Sequence, residues 1–89
     1  MTRQQITIVN KLGLHTRAAA KLVDTARRYQ SKIELIHKDR SADCKSIMSV
    51  ITFGAHKGTV FDIVVSGDDE SEALYAVATL INERFGESE

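Results

Sequence analysis

Apolar and polar positions alternate at the start of the chain. In "QITIVN", Ile6 and Ile8 fall on one side and Gln5 and Thr7 on the other, the period of two that marks a strand. The period then changes. In "TRAAAKLVDTARRYQ", Ala19, Leu22, Val23 and Ala26 recur at the i, i+3, i+4, i+7 spacing of one helix face, while Lys21, Asp24, Arg27 and Arg28 lie mostly off that stripe. "SKIELIHKD" returns to period two, with Ile33 and Leu35 opposite Lys32 and Glu34. "KDRS" reads as a tight polar turn and "RSADC" as a short return strand. "SIMSVITFGA" is apolar but short; Ser46 as an N-cap and Gly54 as a C-cap favour a short helix. "TVFDIVVSG" is the most strand-like segment, rich in Val, Ile and Phe. "DDESEALYAVATLINERFG" is the clearest helix. Asp69 with Glu72 reads as a capping box, Leu74, Val77, Ala78, Ile81 and Phe85 line one face, and Gly86 is the expected stop.

The order β-α-β-β-α-β-α predicts an α+β domain of two layers, three helices covering one face of a mainly antiparallel four-stranded sheet. Periodicity alone does not separate this from a ferredoxin-like split βαβ unit with one extra helix. A chain of 89 residues fits one small domain, residues 1–89. Such a domain holds one core and no enclosed large-substrate cavity, so any chemistry belongs on its surface. Lys plus Arg and Asp plus Glu both number 12, and this balance argues against general nucleic-acid binding. The scattered aromatics argue against an RNA-binding sheet as well. The lone Cys44 has no partner for an internal disulfide, so a reducing cytoplasm is the expected home. No apolar run is long enough for a membrane span, "MTRQQITIVN" lacks a signal-peptide core, and the terminal "GESE" reads as a loose tail.

Candidate chemistry gathers at "GLHTRAAAKLV". His15 stands at the start of the predicted first helix, in its first turn, with Arg17 two residues on. The first amides of a helix have no intrahelical partners and, with the helix dipole, favour an anion there. The donors of Thr16, Arg17 and Ala18 are thus placed to cradle a group carried on the His15 ring. Gly13 supplies backbone freedom just before it. Arg17 offers a planar fork suited to phosphate oxygens, and imidazole is a competent nucleophile near neutral pH. Together these favour a phosphoryl group carried on a ring nitrogen, although the same cluster also suits a free anion. His15, His37 and His56 show no metal-ligand spacing, and no cofactor motif is present. His37 reads as a strand-end surface residue and His56 as part of the "HKGT" turn. No nucleophile elbow supports a Ser-His-Asp hydrolase.

"NKLGLHTRAAAKLV", with "KSIMSV" about thirty residues on and "KGT" leading into a Val-rich strand, resembles the HPr family of phosphocarriers of the bacterial phosphoenolpyruvate phosphotransferase system, its nitrogen-branch relative included. The resemblance runs over essentially the whole chain. It implies an open-faced β-sandwich: three helices over one face of a four-stranded antiparallel sheet. It implies that His15 accepts phosphate at Nδ1 from phospho-enzyme I and passes it to a histidine of a IIA-type acceptor, acting as a stoichiometric intermediate and not an enzyme. Arg17 would then stabilise the phosphoryl group in flight. Ser46 would be a regulatory serine for a dedicated HPr kinase/phosphorylase, as well as a helix cap. Ile47, Met48 and Ile51 would dock both donor and acceptor, Ala20 would allow close approach, and Arg27 would steer acidic partners. A monomer is expected. One position departs from the pattern: many members carry proline after the arginine, and here Ala18 stands there, implying a slightly less rigid helix start with one more amide donor.

Overall fold

The computed structural model describes residues 1–89. Its elements follow the order β1 (Thr2–Thr7), α1 (Thr16–Ala26), β2 (Lys32–His37), β3 (Arg40–Asp43), α2 (Ile47–Phe53), β4 (Val60–Ser66) and α3 (Glu70–Asn82). The sheet order is β1-β4-β2-β3, and every neighbouring pair is antiparallel. β4 enters between β1 and β2, pairing Ile6 with Phe61 on one side and Leu35 with Ile63 on the other. That central place explains its composition. A strand with partners on both sides suits branched, apolar residues, and Ile63, Val64 and Val65 are all buried.

The helices pack on one face of the sheet. Ile6, Ile33, Leu35, Phe61, Ile63 and Val65 meet Ala19, Leu22, Val23 and Ala26 of α1, Val50 and Phe53 of α2, and Val77 and Ile81 of α3 in one cluster. Phe53 meets Phe61 edge to face, with ring centroids 5.6 Å apart. The other face is open and carries polar pairs such as Arg3 with Asp62 at 2.6 Å. No helix is long and apolar enough to cross a membrane.

Three local expectations fail. Asp69 is the residue at the start of α3, but its side chain makes no cap bond to the helix. Its carboxylate accepts instead from the Gln30 and Ser31 amides, at 2.9 and 3.0 Å, and from the Ser31 hydroxyl at 2.5 Å. Three donors from the turn between α1 and β2 outcompete one local amide. Glu70, and not Glu72, reaches back, accepting from Gly67 N–H at 3.2 Å. Gly86 does not stop α3, which ends at Asn82. Arg84, Phe85 and Gly86 form a short separate turn with φ of 59°, 54° and 80°. Left-handed backbone at two non-glycine residues is costly, and here it swings the Phe85 ring into the core, where it is fully buried. The "GESE" tail is therefore not loose. Lys21 Nζ donates to the Phe85 carbonyl at 2.7 Å, and the Lys11 amide donates to the Glu89 carbonyl at 2.7 Å.

Candidate functional site

The loop between β1 and α1 is built around Gly13. Its φ is +67°, and a Cβ there would lie 2.7 Å from both the Ala55 carbonyl oxygen and His56 Cα. Only glycine satisfies both the left-handed backbone and this close approach. The next amide, Leu14 N–H, donates to the Ala55 carbonyl at 2.9 Å, and the Leu14 side chain is buried. Asn10, also buried, closes the loop from inside by donating its Nδ2 to the Gly13 carbonyl at 2.9 Å.

This loop delivers His15 as the N-cap of α1, one position ahead of the expected first turn, with φ −72° and ψ 175°. Its ring does not cap the helix. The ladder begins with Ala19 N–H donating to the His15 carbonyl at 2.8 Å, so the amides of Thr16, Arg17 and Ala18 stand ahead of it. No acidic side chain of α1 itself occupies the first turn, so the helix supplies no counter-charge of its own to the positive end of its dipole. Ala18 is fully buried on the packed face, which a small residue at this crowded start allows.

The ring is held from the far end of the chain. His15 Nε2 lies 2.5 Å from Glu87 Oε2, and the other carboxylate oxygen of Glu87 accepts from Asn10 Nδ2 at 3.1 Å. A carboxylate only accepts, so Nε2 carries the proton in this contact. Nδ1 has no hydrogen-bond partner. Partial burial pushes the Glu87 carboxyl up, but the bonds from His15 and Asn10 and the nearby charges of His15 and Lys21 outweigh it and hold it below the usual range.

Arg17 is exposed and makes no side-chain hydrogen bond or ion pair. It lines an open cleft of about 330 Å³ with Lys11, Leu12, Glu87, Ser88 and Glu89. Glu87, Asn10 and Leu12 were not legible as site residues. Leu12 is 64% exposed beside Arg17, yet a single leucine in a loop carries no periodic signal. Glu87 stands 72 residues from His15, and no spacing rule joins them.

The second candidate region lies on α2. Ser46 is its N-cap, with Oγ accepting from Ser49 N–H at 3.3 Å, and Gly54 closes it in the left-handed region, as the sequence leads one to expect. Ile47 and Met48 are 38% and 66% exposed, whereas Ile51 is half-buried against the core. Ala20, on α1, is exposed. Arg27 is exposed too, but its guanidinium donates twice to the Lys45 carbonyl, at 3.1 and 3.0 Å, tying the end of α1 to the turn before α2. His37 donates from Nδ1 to the Val60 carbonyl at 2.8 Å, and His56 Nδ1 meets Thr59 Oγ1 at 2.8 Å, so both serve local contacts.

Comparison with known proteins meets this geometry from outside. A family model described as the PTS HPr component phosphorylation site matches residues 2–83. Phosphocarrier protein HPr of Pseudomonas aeruginosa is 48% identical over the whole of both chains, and that of Neisseria meningitidis is 44% identical, again over the whole of both. A crystal structure of HPr-C-His from Thermoanaerobacter tengcongensis, 39% identical, covers 100% of each chain with a TM-score of 0.95. With its antiparallel sheet, its three helices on one face and a histidine at the start of the first of them, the chain belongs to the HPr family of phosphocarrier proteins of the phosphotransferase system.

Proposed function

We propose that the chain carries the phosphoryl group on Nδ1 of His15, taking it from phospho-enzyme I and giving it to a histidine of a IIA-type acceptor. The observation that carries this reading is the state of the ring. Nε2 is bonded to a carboxylate, which leaves Nδ1 as the nitrogen with a free lone pair, at the start of a helix whose first amides are unused. Those amides, of Thr16, Arg17 and Ala18, favour the incoming anion, and the unpaired Arg17 guanidinium neutralises charge on the transferred group.

Partners dock on the adjoining surface. Ile47 and Met48 supply exposed apolar area, with Ile51 behind them, and Met adapts to more than one partner. Ala20 keeps the neighbouring surface of α1 low. Arg27 adds positive charge, though its tie to Lys45 limits its reach. Ser46 sits within this patch as a capping hydroxyl, and its phosphorylation by a dedicated kinase would place charge in the docking surface. The protein acts in the cytoplasm as a monomeric single domain.

Incubation with phosphoenolpyruvate and enzyme I tests the central claim. Mass spectrometry is expected to show an acid-labile gain of one phosphate that His15→Ala abolishes. Labelling that persists in His15→Ala, or that maps to His37 or His56, overturns the assignment.

A further inference from the structure

Glu87 has no part in the reading above beyond its contact with His15, yet much of the C-terminal segment serves to place it. Phe85 is fully buried, the backbone turns through three consecutive left-handed residues, and Lys21 grips the Phe85 carbonyl at 2.7 Å. The chain emerges with Glu87 bonded to the ring at 2.5 Å. The carboxylate is itself clamped. Asn10 spends its amide donors on the Gly13 carbonyl and on Glu87, at 2.9 and 3.1 Å, while its own buried Oδ1 stays without a partner. An unsatisfied buried acceptor costs free energy, so the amide is held in this sense by what its donors gain.

We propose that Glu87, held by Asn10, is a positioning residue for phosphoryl transfer: it keeps His15 as the Nε2–H tautomer and balances the positive charge the ring acquires when Nδ1 is phosphorylated. The inference rests on the phosphocarrier reading of His15.

The electron count makes the second role specific. A neutral ring protonated at Nε2 attacks through the Nδ1 lone pair. The N–P bond forms as the bond from phosphorus to the donor breaks, and that electron pair leaves with the donor. Nε2 neither gains nor loses its proton, so the ring becomes a phosphorylated imidazolium. A carboxylate on Nε2–H binds that cation more strongly than the neutral ring, and this difference is what lowers a barrier. Onward transfer runs the same change in reverse, returning a neutral ring as the N–P bond breaks.

The test compares the unmodified protein with Glu87→Gln, Glu87→Asp and Glu87→Ala. Two readouts are taken: the kcat and KM of phosphate uptake from phospho-enzyme I, and the Nε2–H proton of His15 seen in ¹⁵N-correlated NMR of the free protein. Glu87→Gln keeps an acceptor and removes the charge. It is expected to retain the Nε2–H signal, to lower kcat about tenfold and to leave KM within a factor of about two. Glu87→Ala is expected to lose the slowly exchanging signal, and Glu87→Asp to recover part of the rate. Melting curves confirm that each variant is folded. Should Glu87→Ala prove unfolded, the Gln variant decides alone. A kcat unchanged in Glu87→Gln overturns the inference. Failure of the unmodified protein to take up phosphate overturns the carrier reading instead, and the two failures are told apart by that control.

Discussion

At the scale of single residues, Arg17 and Glu87 show two ways a charge is placed. Arg17 is exposed, joined to nothing, and set in a cleft it shares with the carboxylate that holds the His15 ring. A guanidinium with no structural partner contributes little to the fold. Its planar fork matches phosphate oxygens in a way an ammonium does not. Arg17→Lys is therefore expected to leave the melting temperature within about 3 °C, because exposed substitutions away from contacts change stability by no more than about 0.5 kcal/mol. The same variant is expected to slow phosphate uptake about tenfold, since one charge-assisted hydrogen bond is worth roughly 1.5 kcal/mol. Uptake at the unmodified rate would show that the helix amides suffice. Arg17 is a candidate on sequence grounds because it lies two residues from His15, within one local pattern. Glu87 is not. It reaches the ring only because Phe85 finds a place in the core and the backbone turns left-handed to put it there. That is a consequence of packing, and a linear pattern does not contain it.

At the scale of elements, caps and corners decide what the periodicity cannot. The buried faces of α1 and β2 follow the spacing of their apolar residues, and α3 does so at Val77, Ala78 and Ile81. Phe85, expected on the same face, lies beyond the helix end at Asn82, and β4 buries Ile63, Val64 and Val65 in succession. Helix ends are different. Ser46 caps α2 as its type suggests, but Asp69 abandons its own helix for donors in the turn at Gln30 and Ser31. Ser46 keeps its local partner, Ser49 N–H, whereas Asp69 gives up its own where three donors converge. Gly13 is the corner on which the site depends. Gly13→Ala forces a side chain into left-handed backbone and sets its Cβ 2.7 Å from main-chain atoms that cannot rotate away. The expected loss is about 2 kcal/mol or more, measured by urea unfolding. A loss below about 0.5 kcal/mol would mean that the segment carrying Ala55 and His56 yields easily. Ser46, at the start of α2, offers a second test at a helix end. A carboxylate at this position keeps an acceptor for Ser49 N–H and meets the positive end of α2. It also puts charge next to the exposed Ile47 and Met48, the surface proposed for docking, where an uncompensated charge is costly to bury. Ser46→Asp is expected to melt no lower than the parent while taking up phosphate more slowly. A variant that melts lower, or that is labelled at the parental rate, would make Ser46 a cap and nothing more.

At the scale of the whole molecule, carboxylates join segments far apart in the chain. Asp69 ties the turn at Gln30 and Ser31 to the start of α3, and Glu70 holds both Gly67 and the amino terminus of Met1. Glu87 ties the last residues to Asn10 and His15. All three are held below the ordinary carboxylate range. For Asp69 the largest cause is the Ser31 hydroxyl, then the Gln30 amide. For Glu70 it is the Gly67 amide, then its bond to the amino terminus. For Glu87 partial burial opposes the shift, and the bonds from His15 and Asn10 exceed it. A group whose folded value is depressed binds protons more weakly in the folded state than in the unfolded one. Its contribution is complete above the unfolded value, about 4, and is lost as pH falls from there through the folded value. Stability is therefore expected to drop progressively on acidification below pH ~4.5, with the links at Ser31, Gly67 and Asn10 failing in the same interval. Asp69 gives the cleanest test, since unlike Glu87 it makes no bond to His15. Asp69→Asn removes the titrating group and accepts through one oxygen where two served before. The variant is expected to be less stable than the parent at pH 7 and to lose less on going to pH 3, so the two urea midpoints converge. Parallel curves, offset equally at both values, would mean that the Asp69 bonds to Gln30 and Ser31 do not depend on its charge. The acid sensitivity of the fold would then rest on Glu70 and Glu87.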